Sequence, residues 1–285
     1  MAKKRSTCEW LGIQEALRVF AEAEGTQSAE HIKPLHWYVA SRLIIEGGFH
    51  PDDLRPRPPF DATKKAGKWL LEYNPDSATG GEQTVFGGLK TKNVDVVVTK
   101  RDIGPVIAVS IKGTFKAFRN LTNRMEEAVG DCSNLHIAYP ALVYGFLHVL
   151  RANREDKAEE RDDVAVRTND EVVDSIKRYH DVLIRLAGRN DLRNEASKYE
   201  AVALAMVNPY EPDVGSLVRS FPNTDSMLLA DRFFPTLYRQ YDLRFVYAAP
   251  SLAKTTGRIE WDEASSALAD IPERDYEPRI ANEPA

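Results

Sequence analysis

Residues 106–113 read VIAVSIKG. Four apolar residues run into Ser110, Ile111, Lys112 and Gly113, so a strand suited to a protein core ends on a lysine. Side chains alternate along a strand, which puts Ser110 and Lys112 on one face and Ile111 on the other. Two more short, β-branched runs lie upstream: QTVFGG from residue 83 and VDVVVTK at 94–100. Gly87-Gly88 and the Asp102-Ile103-Gly104-Pro105 stretch separate the three runs, which therefore read as strands joined by tight turns.

The period changes on either side. Residues 9–24 place Trp10, Ile13, Leu17 and Phe20 at helical spacing, and residues 31–46 do the same with Leu35, Tyr38, Val39, Leu43 and Ile44. Gly47 and Gly48 close the second helix. Residues 49–68 are loop-like, with PRPPF at 56–60 as the strongest breaker. Past the opening strand, 115–134 return to a helix with Phe118, Leu121, Met125 and Val129 as its buried stripe. Residues 139–150 fit a buried strand, and their pattern also fits a helix. The charge-crowded stretch 151–170 is expected to be an exposed loop or a frayed extension. A helix at 171–188, a strand at 201–207, a helix at 225–240 and a strand at 243–249 follow.

Hairpin-linked strands first and strand–helix alternation later imply an α/β fold: a central mixed β-sheet flanked by helices on both faces. No linker interrupts it, so residues 1–264 are expected to form one domain. Its parts are N-terminal helices (9–46), a core at about 83–207 and a C-terminal helix and strand (225–249). The acidic, Pro-rich residues 265–285 are expected to be a mobile tail.

Composition excludes several classes. The chain has 285 residues, 43% hydrophobic and 28% charged, which suffices for a real core. A net charge of −5 argues against non-specific coating of nucleic acid but leaves room for a local basic groove. Cys8 and Cys132 have no CxxC partner, so a reducing cytoplasm is expected. The basic start MAKKRSTCEW lacks the apolar segment of a secretory signal. The longest apolar run, AYPALVYGFLHVL, contains His148 and is too short for a bilayer. The six histidines show no HxH or HExxH spacing, and no GxGxxG or Walker loop appears, so neither zinc nor a nucleotide cofactor is indicated. Ser110 as a nucleophile beside Lys112 lacks a source for an oxyanion hole.

The opening strand has chemical neighbours. Asp95 is second in VDVVV, and a hairpin would set it beside Ser110 and Lys112. Strands disfavour Asp, and a buried one needs a partner. The following helix carries Glu126 and Glu127, which lie about 100° apart on a helix, so one of the two faces the sheet. Two carboxylates and a lysine at one sheet edge suit phosphodiester cleavage. Carboxylates bind Mg²⁺, the ion activates water, and the lysine orients that water and offsets charge.

This arrangement resembles the PD-(D/E)xK nuclease superfamily, which includes most type II restriction endonucleases. The usual acid two residues before the lysine is Ser110 here, and Val94 stands where a proline often precedes the Asp. A branch of restriction enzymes has S-x-K and takes the missing acid from the next helix. In this chain thirteen residues separate Lys112 from Glu126. The resemblance covers the element order of roughly residues 35–207, with 83–207 as the catalytic core. It implies that Asp95, Glu126 and the backbone carbonyl of Ile111 ligate one or two Mg²⁺ ions, that Ser110 fills the vacated position and that Lys112 is the catalytic lysine. A further acid near the metal would be Glu46, with Glu82 as the second option. The implied protein is a cytoplasmic Mg²⁺-dependent endonuclease, a type II restriction enzyme acting on double-stranded DNA as a homodimer, because two cuts favour two sites on a two-fold axis. A non-specific or defence-associated nuclease, and an inactive DNA-binding protein that kept the fold, are the alternatives. Lys116, Arg119, Asn120, Asn123 and Arg124 suit base and phosphate contacts, and Arg55 and Arg57, with Lys64, Lys65 and Lys68, suit a phosphate-binding rim. KAFR replaces the Arg-rich motif of the CCGG-cutting enzymes, so no recognition sequence follows.

Overall fold

The structure, a computed structural model, describes residues 10–24, 29–116, 121–158 and 163–281. Helices α1 (Ile13–Glu22) and α2 (Lys33–Ile45) open the chain. Strand β1 (Leu54–Arg55) is followed by two hairpins, β2 (Phe60–Lys65) with β3 (Lys68–Tyr73) and β4 (Gln83–Phe86) with β5 (Thr91–Val94). Then come β6 (Val96–Lys100), β7 (Gly104–Thr114), α3 (Leu121–Ala138), β8 (Val143–Arg151), α4 (Asp174–Leu186), β9 (Ala201–Val207) and α5 (Phe233–Tyr241).

The central sheet runs β1-β6-β7-β8-β9. Strand β6 is antiparallel to both β1 and β7, whereas β7, β8 and β9 are parallel through crossovers that carry α3 and α4. Parallel strands covered on both faces need apolar side chains on both, which is why β8 and β9 read as near-continuous hydrophobic runs. One face packs Ile107, Val109, Ile111, Leu147 and Val149 against α1, α2 and α5. The other packs Ala108, Tyr144, Phe146, Leu150 and Leu204 against α3 and α4. The result is an α/β sandwich with a mixed five-stranded sheet. Each fully buried Val, Leu or Ile contributes roughly 1.5–3 kcal/mol, so these two faces supply most of the drive to fold. No helix among the described residues is long and apolar enough to cross a membrane.

Four local expectations are corrected. The loop-like region contains the β2–β3 hairpin: Phe60 and Leu71 are buried in the core, while Lys64, Lys65 and Lys68 crowd its exposed tip. Positive φ at Ala66 (49°) and Gly67 (86°) makes that turn. The run VDVVV is broken at Asp95, with Val94 in β5 and Val96 in β6. The apolar residues at 243–249 form no strand. The helical backbone of α5 continues as a π-helix over Asp242–Tyr247, and Phe245 stacks on Tyr241 at 5.2 Å. Finally, the segment expected to be a mobile tail packs onto the fold. Ile280 bridges the fully buried Trp261, which lies just before the segment, Arg279 N–H donates to Ile45 O at 2.9 Å, and Tyr276 is buried 5.7 Å from the Tyr38 ring. Aromatic burial outweighs the polar composition there.

Candidate functional site

Register, more than any single residue type, builds the site. In the β4–β5 hairpin Gln83 pairs with Val94, and continuing by one residue sets Glu82 opposite Asp95. In β6–β7, Val96 pairs with Val109, which sets Asp95 opposite Ser110. Asp95 sits where the chain leaves the small hairpin and enters the central sheet, so it is flanked by both strand partners. Its carboxylate accepts the Ile111 N–H at 2.6 Å. The first turn of α2 then brings His36, whose Nε2 lies 3.8 Å from Asp95 Oδ1. One ligand atom each from His36, Glu82 and Asp95 falls within 4.8 Å of the others.

The electrostatics are those of a half-closed site. Asp95 is only 5% exposed, and this burial raises its pKa against the opposing pull of Lys112 and the Ile111 N–H. His36 is likewise buried, and its pKa falls to about 4; the Glu82 carboxylate opposes the drop, and the Lys112 ammonium adds to it. Lys112 is half-buried at the end of β7, and among the described residues no carboxylate is paired with it. Its ammonium nonetheless bears on both Asp95 and His36. The next residue has to be Gly113: a Cβ there would stand 2.5 Å from the Phe20 ring, so glycine lets α1 close over the strand end. Ser110 is buried and shares a 2.7 Å hydrogen bond with the Tyr144 hydroxyl of β8.

The acids of α3 are arranged differently from expectation. Glu126 is exposed and lies outside the His36–Glu82–Asp95 cluster, because Met125, Ala128 and Cys132 take the sheet-facing stripe and rotate it outward. Glu127, the alternative, is also exposed and lies 3.7 Å from Lys92 Nζ. One turn further on, the buried Asp131 pairs with the same lysine and raises the pKa of Asp95. Glu46 belongs elsewhere: it pairs with Arg42 at 2.7 Å and accepts the Glu277 N–H at 3.0 Å, tying α2 to the C-terminal segment. Of the two N-terminal acids considered, Glu82 reaches Asp95. Ile111 meets Asp95 through its backbone N–H.

The proposed DNA-reading side chains are dispersed. Arg57 is held by Asp52 at 2.8 Å and Asp61 at 2.9 Å, and Lys116 pairs with Asp163 at 2.7 Å. Arg124 is half-buried, and its charge adds to the burial that lowers the pKa of His148. Asn123 is exposed, as is Arg55, which donates to the Asp52 and Leu54 carbonyls. Phe118, Arg119 and Asn120 lie outside the described residues. The residue that sequence spacing did not reveal is His36. Its partners are 46 and 59 positions away, and no local motif links them. The one available signal was a histidine on a helix otherwise composed for burial.

The donor set suits a divalent cation: two carboxylates, one buried and one open to solvent, with an imidazole beside them. No family model matches the chain, and comparison with curated proteins and with solved structures returns no match.

Proposed function

We propose that the chain is a divalent-metal-dependent DNA endonuclease of PD-(D/E)xK type, a type II restriction enzyme that cuts double-stranded DNA as a homodimer in the cytoplasm. The observation that carries the reading is Lys112, without a carboxylate partner among the described residues, beside the buried Asp95 and the solvent-open Glu82. A buried carboxylate with an uncommitted lysine near it costs folding energy that a purely structural role does not repay.

Asp95 and Glu82 would hold the ion, here Mg²⁺ or a relative. When bound, such an ion polarises a phosphate and lowers the pKa of a coordinated water. The chain's own groups do the rest. Asp95 is fixed by the Ile111 N–H at 2.6 Å, so its free oxygen keeps one direction. The Lys112 ammonium hydrogen-bonds the attacking water and offsets the charge that develops on the phosphate. Ser110, bound to Tyr144, packs the place of the usual acid without adding negative charge. Glu126 has no part in this scheme.

Plasmid cleavage in the presence of Mg²⁺ or Mn²⁺ tests the proposal. Lys112→Ala and Asp95→Asn should each lower the rate by at least ~10²-fold, with Glu126→Gln close to wild type. A wild-type protein that cuts no substrate with either ion, or a Lys112→Ala variant that cuts as well as wild type, sinks the reading. Discrete bands indicate a restriction enzyme, whereas smearing indicates a non-specific nuclease.

A further inference from the structure

We infer that His36 is a metal ligand through Nε2, and that with Asp95 and Glu82 it makes a mixed nitrogen–oxygen site that takes a first-row transition ion such as Mn²⁺ in preference to Mg²⁺. The inference rests on the reading above only in treating Asp95 as part of a metal site.

Two independent observations support it. The first is geometric: three donors from α2, the β4 hairpin and the β5–β6 junction converge within 4.8 Å. Atoms that share one ion with bonds of about 2.1 Å lie up to about 4.2 Å apart, so a small movement of the exposed Glu82 closes the set. The second is an unmet need. His36 is 5% exposed, and its Nε2 is buried without a hydrogen-bond partner. Asp95 Oδ1, at 3.8 Å, is beyond hydrogen-bond range. A buried polar atom left in that condition costs stability, and an ion between the two groups satisfies both.

The choice of ion follows from the donors. Mg²⁺ is a hard ion that takes oxygen ligands and keeps its waters, while imidazole nitrogen suits transition ions. Among the described residues no third acid stands in that position. Ser110 is neutral, Asp131 is committed to Lys92, and Glu126 points outward. The imidazole of α2 therefore supplies the third donor beside Asp95 and Glu82.

The test uses the intact chain without DNA. Mn²⁺ binding is followed by loss of the free-ion EPR signal, and Mg²⁺ affinity is obtained by competition. Wild type should bind Mn²⁺ at least tenfold more tightly than Mg²⁺. His36→Gln should lose at least tenfold in Mn²⁺ affinity and less than threefold in Mg²⁺ affinity. Electron spin-echo modulation from a directly bound ¹⁴N should appear in Mn²⁺-loaded wild type and vanish in the variant. The wild-type spectrum needs no mutant, so a variant that misfolds leaves the test intact. No ¹⁴N modulation, no Mn²⁺ binding, or equal selectivity in His36→Gln overturns the assignment. Cleavage that persists alongside any of these results leaves the nuclease reading standing. A nitrogen-ligated Mn²⁺ on a chain that never cuts DNA removes the nuclease reading and leaves this assignment in place.

Discussion

His148 sets up a sharp test of how burial controls stability in this fold. It lies in β8, fully buried, with both ring nitrogens lacking hydrogen-bond partners. Tyr179 packs at 5.3 Å, and Phe146 at 6.0 Å. Burial, reinforced by the Arg124 charge, lowers its pKa from 6.5 to about 4. The sign follows from proton counting. Between about pH 4 and 6.5 the unfolded chain binds a proton that the folded chain refuses, so stability is full above 6.5 and is lost as pH falls toward 4. The full loss is about 3 kcal/mol, of which about 2 kcal/mol falls between pH 7.5 and pH 5. His36, also at about 4, adds a loss of the same size and sign. His148→Leu keeps an apolar side chain of similar volume and removes one of the two contributions. Urea unfolding of both proteins at pH 7.5 and 5.0, without divalent ions, gives a double difference in which every other titrating group cancels. Wild type should lose about 2 kcal/mol more than the variant on acidification. Equal losses would mean that His148 is hydrated or paired in solution, and the burial argument would fail.

Two more outcomes follow from packing and charge. Trp261→Ala should cost about 3–5 kcal/mol in urea unfolding, because the indole is fully buried and donates to Ile44 O at 3.0 Å; a change under about 1 kcal/mol would mean that the C-terminal segment does not dock. Glu200→Gln should cost about 3–5 kcal/mol, because it removes the one carboxylate shared by Arg189 at 3.0 Å and Arg244 at 2.7 Å in the interior; unchanged stability would show that those guanidinium groups reach water.

Read along the chain, local pattern was sufficient wherever one element's own side chains decide its state. VIAVSIKG is a strand with Lys112 at its end, AVALAMV is a strand buried on both faces, and the alternation of strands and helices implied the mixed sheet. Pattern failed where a distant partner decides. The hairpin at 60–73 is hidden by its lysine-rich tip, and Leu243, Phe245 and Val246 look like a strand until the Tyr241 ring stacks on Phe245. The polar segment 265–281 docks because Tyr276 packs beside Tyr38 of α2 and Ile280 bridges Trp261, which is itself buried against α2 and the hairpin.

For the candidate site the division is the same. Asp95 and Lys112 were legible in sequence, since an acid in a β-branched run and a lysine at a strand end stand out locally. Which other groups join them depends on two quantities that no local pattern carries. One is the rotation of α3 about its axis, set by Met125, Ala128 and Cys132 against the sheet, which turns Glu126 to solvent. The other is register. A pairing of Gln83 with Val94 puts Glu82 opposite Asp95, and the packing of α2 supplies His36. Sequence pointed to an acid immediately before β6 and a lysine near the end of β7. Tertiary structure decided that an imidazole and a hairpin glutamate complete the cluster, because convergence of remote segments is fixed by packing and strand register and not by spacing along the chain.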